Sequence, residues 1–95
     1  MKLRDAYRQK IEAQIEELDA RLAVLRAQAK RMSADAKIAA YEELAETDKK
    51  LTALKARLKA MRTASDKAWQ EMKGGVETAW SDLHQAAKRA LKHLG

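Results

Sequence analysis

Residues 11–32, IEAQIEELDARLAVLRAQAKRM, decide the fold class. Their apolar side chains fall at Ile11, Ile15, Leu18, Leu22, Leu25, Ala29 and Met32, and the steps alternate three and four after Ile15. That is the spacing of a heptad seam, the stripe along which α-helices pack in a left-handed coiled coil. A strand would need alternation at every second residue, and no segment of the chain shows it.

Toward the C-terminus, Leu44, Thr47, Leu51, Leu54, Leu58 and Met61 repeat the heptad spacing. Between the two blocks, Met32, Ala36, Ala40 and Leu44 stand four apart, a stutter that locally unwinds a supercoil and leaves the seam thin. Beyond Leu58 the series Met61, Ser65, Trp69, Met72, Val76, Trp80, Leu83, Ala87, Leu91 and Leu94 steps three, four, four, so the repeat becomes eleven. Leu58, Trp69, Trp80 and Leu91 share one phase; Met61, Met72, Leu83 and Leu94 share another. Eleven residues at about 100° each return to within about 20° of the start. The spacing therefore predicts one nearly straight apolar stripe of Trp69, Met72, Val76, Trp80, Leu83, Leu91 and Leu94. Both tryptophans would face a partner helix or a lipid surface.

A chain of 95 residues holds one small domain. Twenty residues are alanine, proline is absent, and the first glycine is Gly74, a composition of strong helix formers. Alanine also supplies nearly half of the 46% apolar content, so a lone chain has little to offset its ordering entropy. Nothing forces a helix to stop before Gly74. Ser33, Thr47 and Ser65 are candidate N-caps, and Ser65 followed by Asp66 is the best of them. Gly74-Gly75 costs about 1 kcal/mol per glycine if helical, and marks a kink or a close backbone approach.

The expected architecture is all-α, with long helices in coiled-coil packing. A heptad-patterned first helix would run over about 3–62 (region 1–62). A shorter amphipathic C-terminal helix would run over about 66–94 (region 63–95). At 1.5 Å per residue the first helix would extend about 90 Å. Alone it would leave its seam in water, which predicts a homo-oligomer joined through Ile11, Ile15, Leu18, Leu22, Leu25, Leu44, Leu51, Leu54, Leu58 and Met61. A near-symmetric hairpin turning at Glu46-Thr47-Asp48 is the alternative. Glu17–Arg21 and Glu46–Lys50 add i, i+4 pairs on the outer face.

Cysteine is absent, which excludes disulfide and thiolate chemistry. The opening MKLRDAYRQK lacks the apolar core of a signal peptide. The longest apolar runs are four residues, as at Leu22 to Leu25, where a membrane span needs about twenty. A soluble, cytoplasmic protein is expected, with peripheral membrane contact left open.

Net charge is +6. From His84 onward there is no acid, only Lys88, Arg89, Lys92 and two histidines. These bases complement the helix dipole or contact an anionic partner, with Lys88, Arg89 and Lys92 as the candidates. The bases Lys2, Arg4, Arg8 and Lys10 precede the seam as in a basic-region zipper, but Asp5 and Glu12 interrupt them. Any nucleic-acid binding should be non-specific and salt-sensitive. The C-terminal stripe, flanked by Lys73, Lys88, Arg89 and Lys92, has the composition of a helix lying in a lipid interface.

Catalytic signatures are missing. Ser81, Asp82 and His84 sit close together as SDLH, yet a single helix supplies neither an orienting acid nor oxyanion donors. His84 and His93 fall on opposite helix faces. Glu12, Glu16 and Asp19 share a face without a loop to organise a cation. No cofactor is expected.

The segments DAKIAAYEEL (35–44), the leucine heptads up to Met61, and the paired Ala68-Trp69 and Ala79-Trp80 resemble short bacterial coiled-coil proteins, some labelled as stress-response proteins. The resemblance spans roughly residues 30–92. It implies a bacterial origin and a role in stress, and it carries over no site residues. The expected function is a non-enzymatic, self-associating scaffold with a further protein partner. A peripheral membrane binder acting through the tryptophan-bearing helix is the first alternative, and a non-specific nucleic-acid binder the second.

Overall fold

A computed structural model describes residues 3–94, with side-chain surroundings for 3–92. Lys2, His93 and Leu94, named above, lie outside the described side chains. The fold is all-α, as the heptads require. Among the described residues there are three helices of nearly equal length: α1 (Leu3–Ala29), α2 (Ala34–Met61) and α3 (Asp66–Leu94). They pack as an up-down-up bundle of 50 × 19 × 17 Å.

The continuous 3–62 helix is corrected: the chain turns at 30–33, and it does not turn at Glu46-Thr47-Asp48 either. The turn falls inside the four-residue stutter, where the seam is thinnest. Arg31 N–H donates to Gln28 O at 3.0 Å and Met32 N–H to Ala29 O at 3.1 Å, tightening the last turn of α1. Ser33 is then extended, with φ −61° and ψ 159°, and its side chain makes no capping bond. Lys37 N–H returns to Ser33 O at 2.8 Å, the first helical bond of α2. Ser33 thus stands at the N-cap position expected of it, but with no capping bond to enforce a stop the reversal is a tertiary effect. Folding back lets the two heptad blocks bury each other, and each large aliphatic side chain so buried contributes about 1.5–3 kcal/mol.

The second reversal was legible. Ser65 Oγ accepts from Ala68 N–H at 3.1 Å, a capping bond at the start of α3. Arg4 of α1 donates from Nη1 to the Ala64 carbonyl, so the start of α1 holds the α2–α3 turn. Thr47 is no cap. It is fully buried within α2, and its hydroxyl donates to Glu43 O at 2.8 Å, which satisfies it without a tertiary partner.

The eleven-residue reading of α3 is also corrected. Its buried line is Trp69, Val76, Leu83 and Ala90, seven apart, joined by Ala86 and Ala87. The three-four-four series lands on Leu91 and passes over its neighbour Ala90, whereas packing in a bundle follows the heptad whatever the residue size. α3 runs helical through Gly74-Gly75 without a break. A methyl group at Gly75 would come within 2.8 Å of Arg57 Nη1 on α2. α2 and α3 are the most closely packed pair and α1 and α3 the loosest. Small residues on α3 permit the former approach.

Candidate functional site

All ten residues read as an assembly seam, from Ile11 to Met61, are buried within one chain. They form the core, together with Ala29, Ala40, Trp69, Val76, Leu83 and Ala87. Within one chain α3 covers this seam, so its burial does not call for a second copy. Functional surface has to be sought on the outside of the bundle.

The α1–α2 face is closed by complementary charge. Lys55 Nζ donates to Asp19 Oδ2 at 3.0 Å, Arg62 Nη2 to Glu12 Oε1 at 3.2 Å, and Arg26 to Asp48. Glu12, Glu16 and Asp19 line one groove with Lys55, Lys59 and Arg62. The acidic cluster of the sequence thus belongs to an ionic clasp that sets the α1–α2 pairing. Exposed pairs of this kind contribute little individually.

The C-terminal stripe divides. Trp69, Val76 and Leu83 are core, Met72 and Trp80 are half-buried, and Leu91 is exposed at 37%. Both tryptophans pack toward the core, but to different depths: Trp69 is 7% exposed, while Trp80 is half-buried at the edge beside α1. The His84 ring lies 6.0 Å from that of Trp80, and Ser81, Asp82 and His84 are all exposed on α3.

The three basic candidates divide as well. Arg89 lines the α2–α3 groove beside Glu42, Glu43 and Glu46. Lys88 and Lys92 are exposed. Lys88 follows His84 by four residues and precedes Leu91 by three, so it belongs to the side of α3 that faces α1.

That side borders a groove. Trp80 and His84 face Gln14, Glu17, Leu18 and Arg21 of α1 at its lower part. Higher up, Leu91 faces Arg21, Val24, Leu25 and Gln28, and the lining there is almost wholly apolar. Val24 is 57% exposed on the groove's α1 flank. α1 and α3 run parallel: Tyr7 meets Trp69 at one end and Leu91 meets Val24 at the other. Parallel running places two acid-free stretches side by side. Residues 20–34 carry Arg21, Arg26, Lys30 and Arg31; residues 83–92 carry Lys88, Arg89 and Lys92. The signal for the first was the absence of any acid between Asp19 and Asp35.

At the opposite end of the same interface, Lys73 Nζ lies 5.2 Å from the Tyr7 ring centroid and 5.9 Å from that of Trp69. The Tyr7 phenol is pushed above its ordinary pKa, by burial first and by the Glu77 carboxylate second. Arg8 pairs with Glu12 at 3.0 Å and lies 3.9 Å from Asp5. The basic set Arg4, Arg8 and Lys10 is therefore no free patch, because Arg4 and Arg8 are engaged within the bundle.

No helix among the described residues is long and apolar enough to cross a membrane. No family model, no curated protein and no solved structure matches the chain.

Proposed function

We propose that this chain is a non-enzymatic interaction module, a three-helix bundle whose α1–α3 face is the contact surface. The observation that supports this reading is spare apolar surface. Once the core has closed, Val24 and Leu91 still stand exposed on either side of an apolar groove. A bundle with no partner has no use for large aliphatic side chains there, while an interaction face needs an apolar centre with a polar rim. The scaffolding role expected from the heptads thus moves from the internal seam to the outside of α1 and α3.

A photo-cross-linking residue placed at Val24 or Leu91 should capture macromolecule or lipid in cells. The same residue at Ala56, exposed on α2, should not. Equal capture from all three positions, or capture from none, would remove the face from consideration.

A further inference from the structure

We propose that the C-terminal half of the α1–α3 face docks on an anionic phospholipid surface. Val24 and Leu91 would enter the interfacial layer, with Arg21, Lys88 and Lys92 against the headgroups. This rests on the reading of that face as the contact surface and names what covers it.

Charge selects the occupant. The parallel arrangement of α1 and α3 brings two acid-free runs to one end of the bundle, 20–34 and 83–92. Glu17, paired with Arg21 at 3.7 Å, is the carboxylate lining the lower groove, and among the described residues no carboxylate lines the upper part. A second copy presenting the same face would set Lys88, Lys92 and Arg21 against their own equivalents, so a symmetric dimer through it is disfavoured. An anionic surface is the complement.

Area selects between anionic surfaces. Among the described residues of this face the exposed large apolar side chains are Val24 and Leu91, with the groove floor between them. A stable protein interface buries about 800 Å² on each partner around a close-packed centre. A lipid surface needs no matching shape. It accepts a few aliphatic side chains at the depth of the headgroups and holds the flanking bases by screened attraction. Each basic residue at such a surface raises affinity about five-fold. The half-buried Trp80 stands at the lower end of the same groove, the kind of amphipathic ring that suits that depth.

The test is co-sedimentation of the full chain with phosphatidylcholine vesicles containing phosphatidylserine, against phosphatidylcholine alone. Binding is expected only to the former, and it should weaken as salt rises. The pair Lys88→Gln with Lys92→Gln should lower affinity about 25-fold. Val24→Ser with Leu91→Ser should lower it several-fold. Lys49→Gln with Lys67→Gln removes the same charge from exposed positions away from the groove and should leave affinity near that of the parent. All six side chains are exposed, so circular dichroism and melting should be unchanged in each variant.

Equal losses from the two lysine pairs would mean diffuse charge attraction and would overturn the assignment of this face. Absence of vesicle binding would overturn the lipid proposal. In that event, protein or RNA cross-linked from Val24 and Leu91 would preserve the face as a contact surface, whereas absence of cross-links would remove that as well.

Discussion

The Tyr7 and Trp69 rings meet with centroids 6.1 Å apart and planes tilted by 45°, fastening the start of α1 to the start of α3. Tilted aromatic pairs at this distance contribute about 0.5–1.5 kcal/mol beyond the area they bury. Lys73 caps both rings from α3. This contact makes α1 the third member of the bundle at the end where its hydrogen bond to Ala64 also lies.

The two tryptophans should therefore behave differently. Trp69→Ala empties a core site and should cost about 3–5 kcal/mol. Trp80→Ala removes a half-buried ring and should cost about 1–2 kcal/mol. Urea titrations of both variants check the difference. A Trp80→Phe chain, reporting only Trp69, should emit at blue-shifted wavelength without any added partner. Equal costs would mean that the two rings share one environment after all.

Tyr7 links this corner to pH. Its pKa in the folded chain lies above the ordinary phenol value, so the folded state holds the phenolic proton more tightly than the unfolded chain. The associated stability is complete below pH about 10 and is lost as pH rises through the raised value. Tyr7→Phe cannot lose a proton. Its melting temperature should fall less steeply than the parent's above pH about 10, and parallel curves would show that the phenol is not coupled to folding.

The turn at 30–33 can be tested by a proline. Ser33 already has the extended geometry that a residue before proline prefers, and Ala34 is the first residue of α2. Ala34→Pro should be tolerated or should stabilise by about 0.4–1 kcal/mol. In an unbroken helix over 3–62 the same change would cost about 3 kcal/mol or more. Thermal melting separates these outcomes by sign.

Gly74 is helical with nothing within 4 Å of the position its Cβ would take. Gly74→Ala should therefore stabilise by about 0.5–1 kcal/mol through reduced freedom of the unfolded chain. Gly75→Ala should gain less, since the methyl group must displace the Arg57 guanidinium from 2.8 Å. A loss at Gly74 would indicate that its backbone is needed for some contact outside this chain.

The sequence alone determined what depends on neighbours along the helix. The spacing from Ile11 to Leu25 and from Leu44 to Met61 named the buried residues of α1 and α2, because a heptad puts them on one face whatever covers it. Ser65 marked a helix start because a hydroxyl reaches an amide three residues on. Tertiary structure decided everything that depends on distant segments. Ser33 was one of the helix starts the sequence offered and it does stand at the N-cap position of α2, but it makes no capping bond, so the burial of one heptad block against the other is what turned that start into a reversal. That reversal converted an assembly seam into an internal core. It buried Ala90 and left Leu91 exposed. It also set α1 and α3 parallel, so that Arg21 and Val24 stand beside Leu91 across a groove. No spacing rule could join those positions, since they lie far apart in the chain and meet only because the helix between them runs the other way.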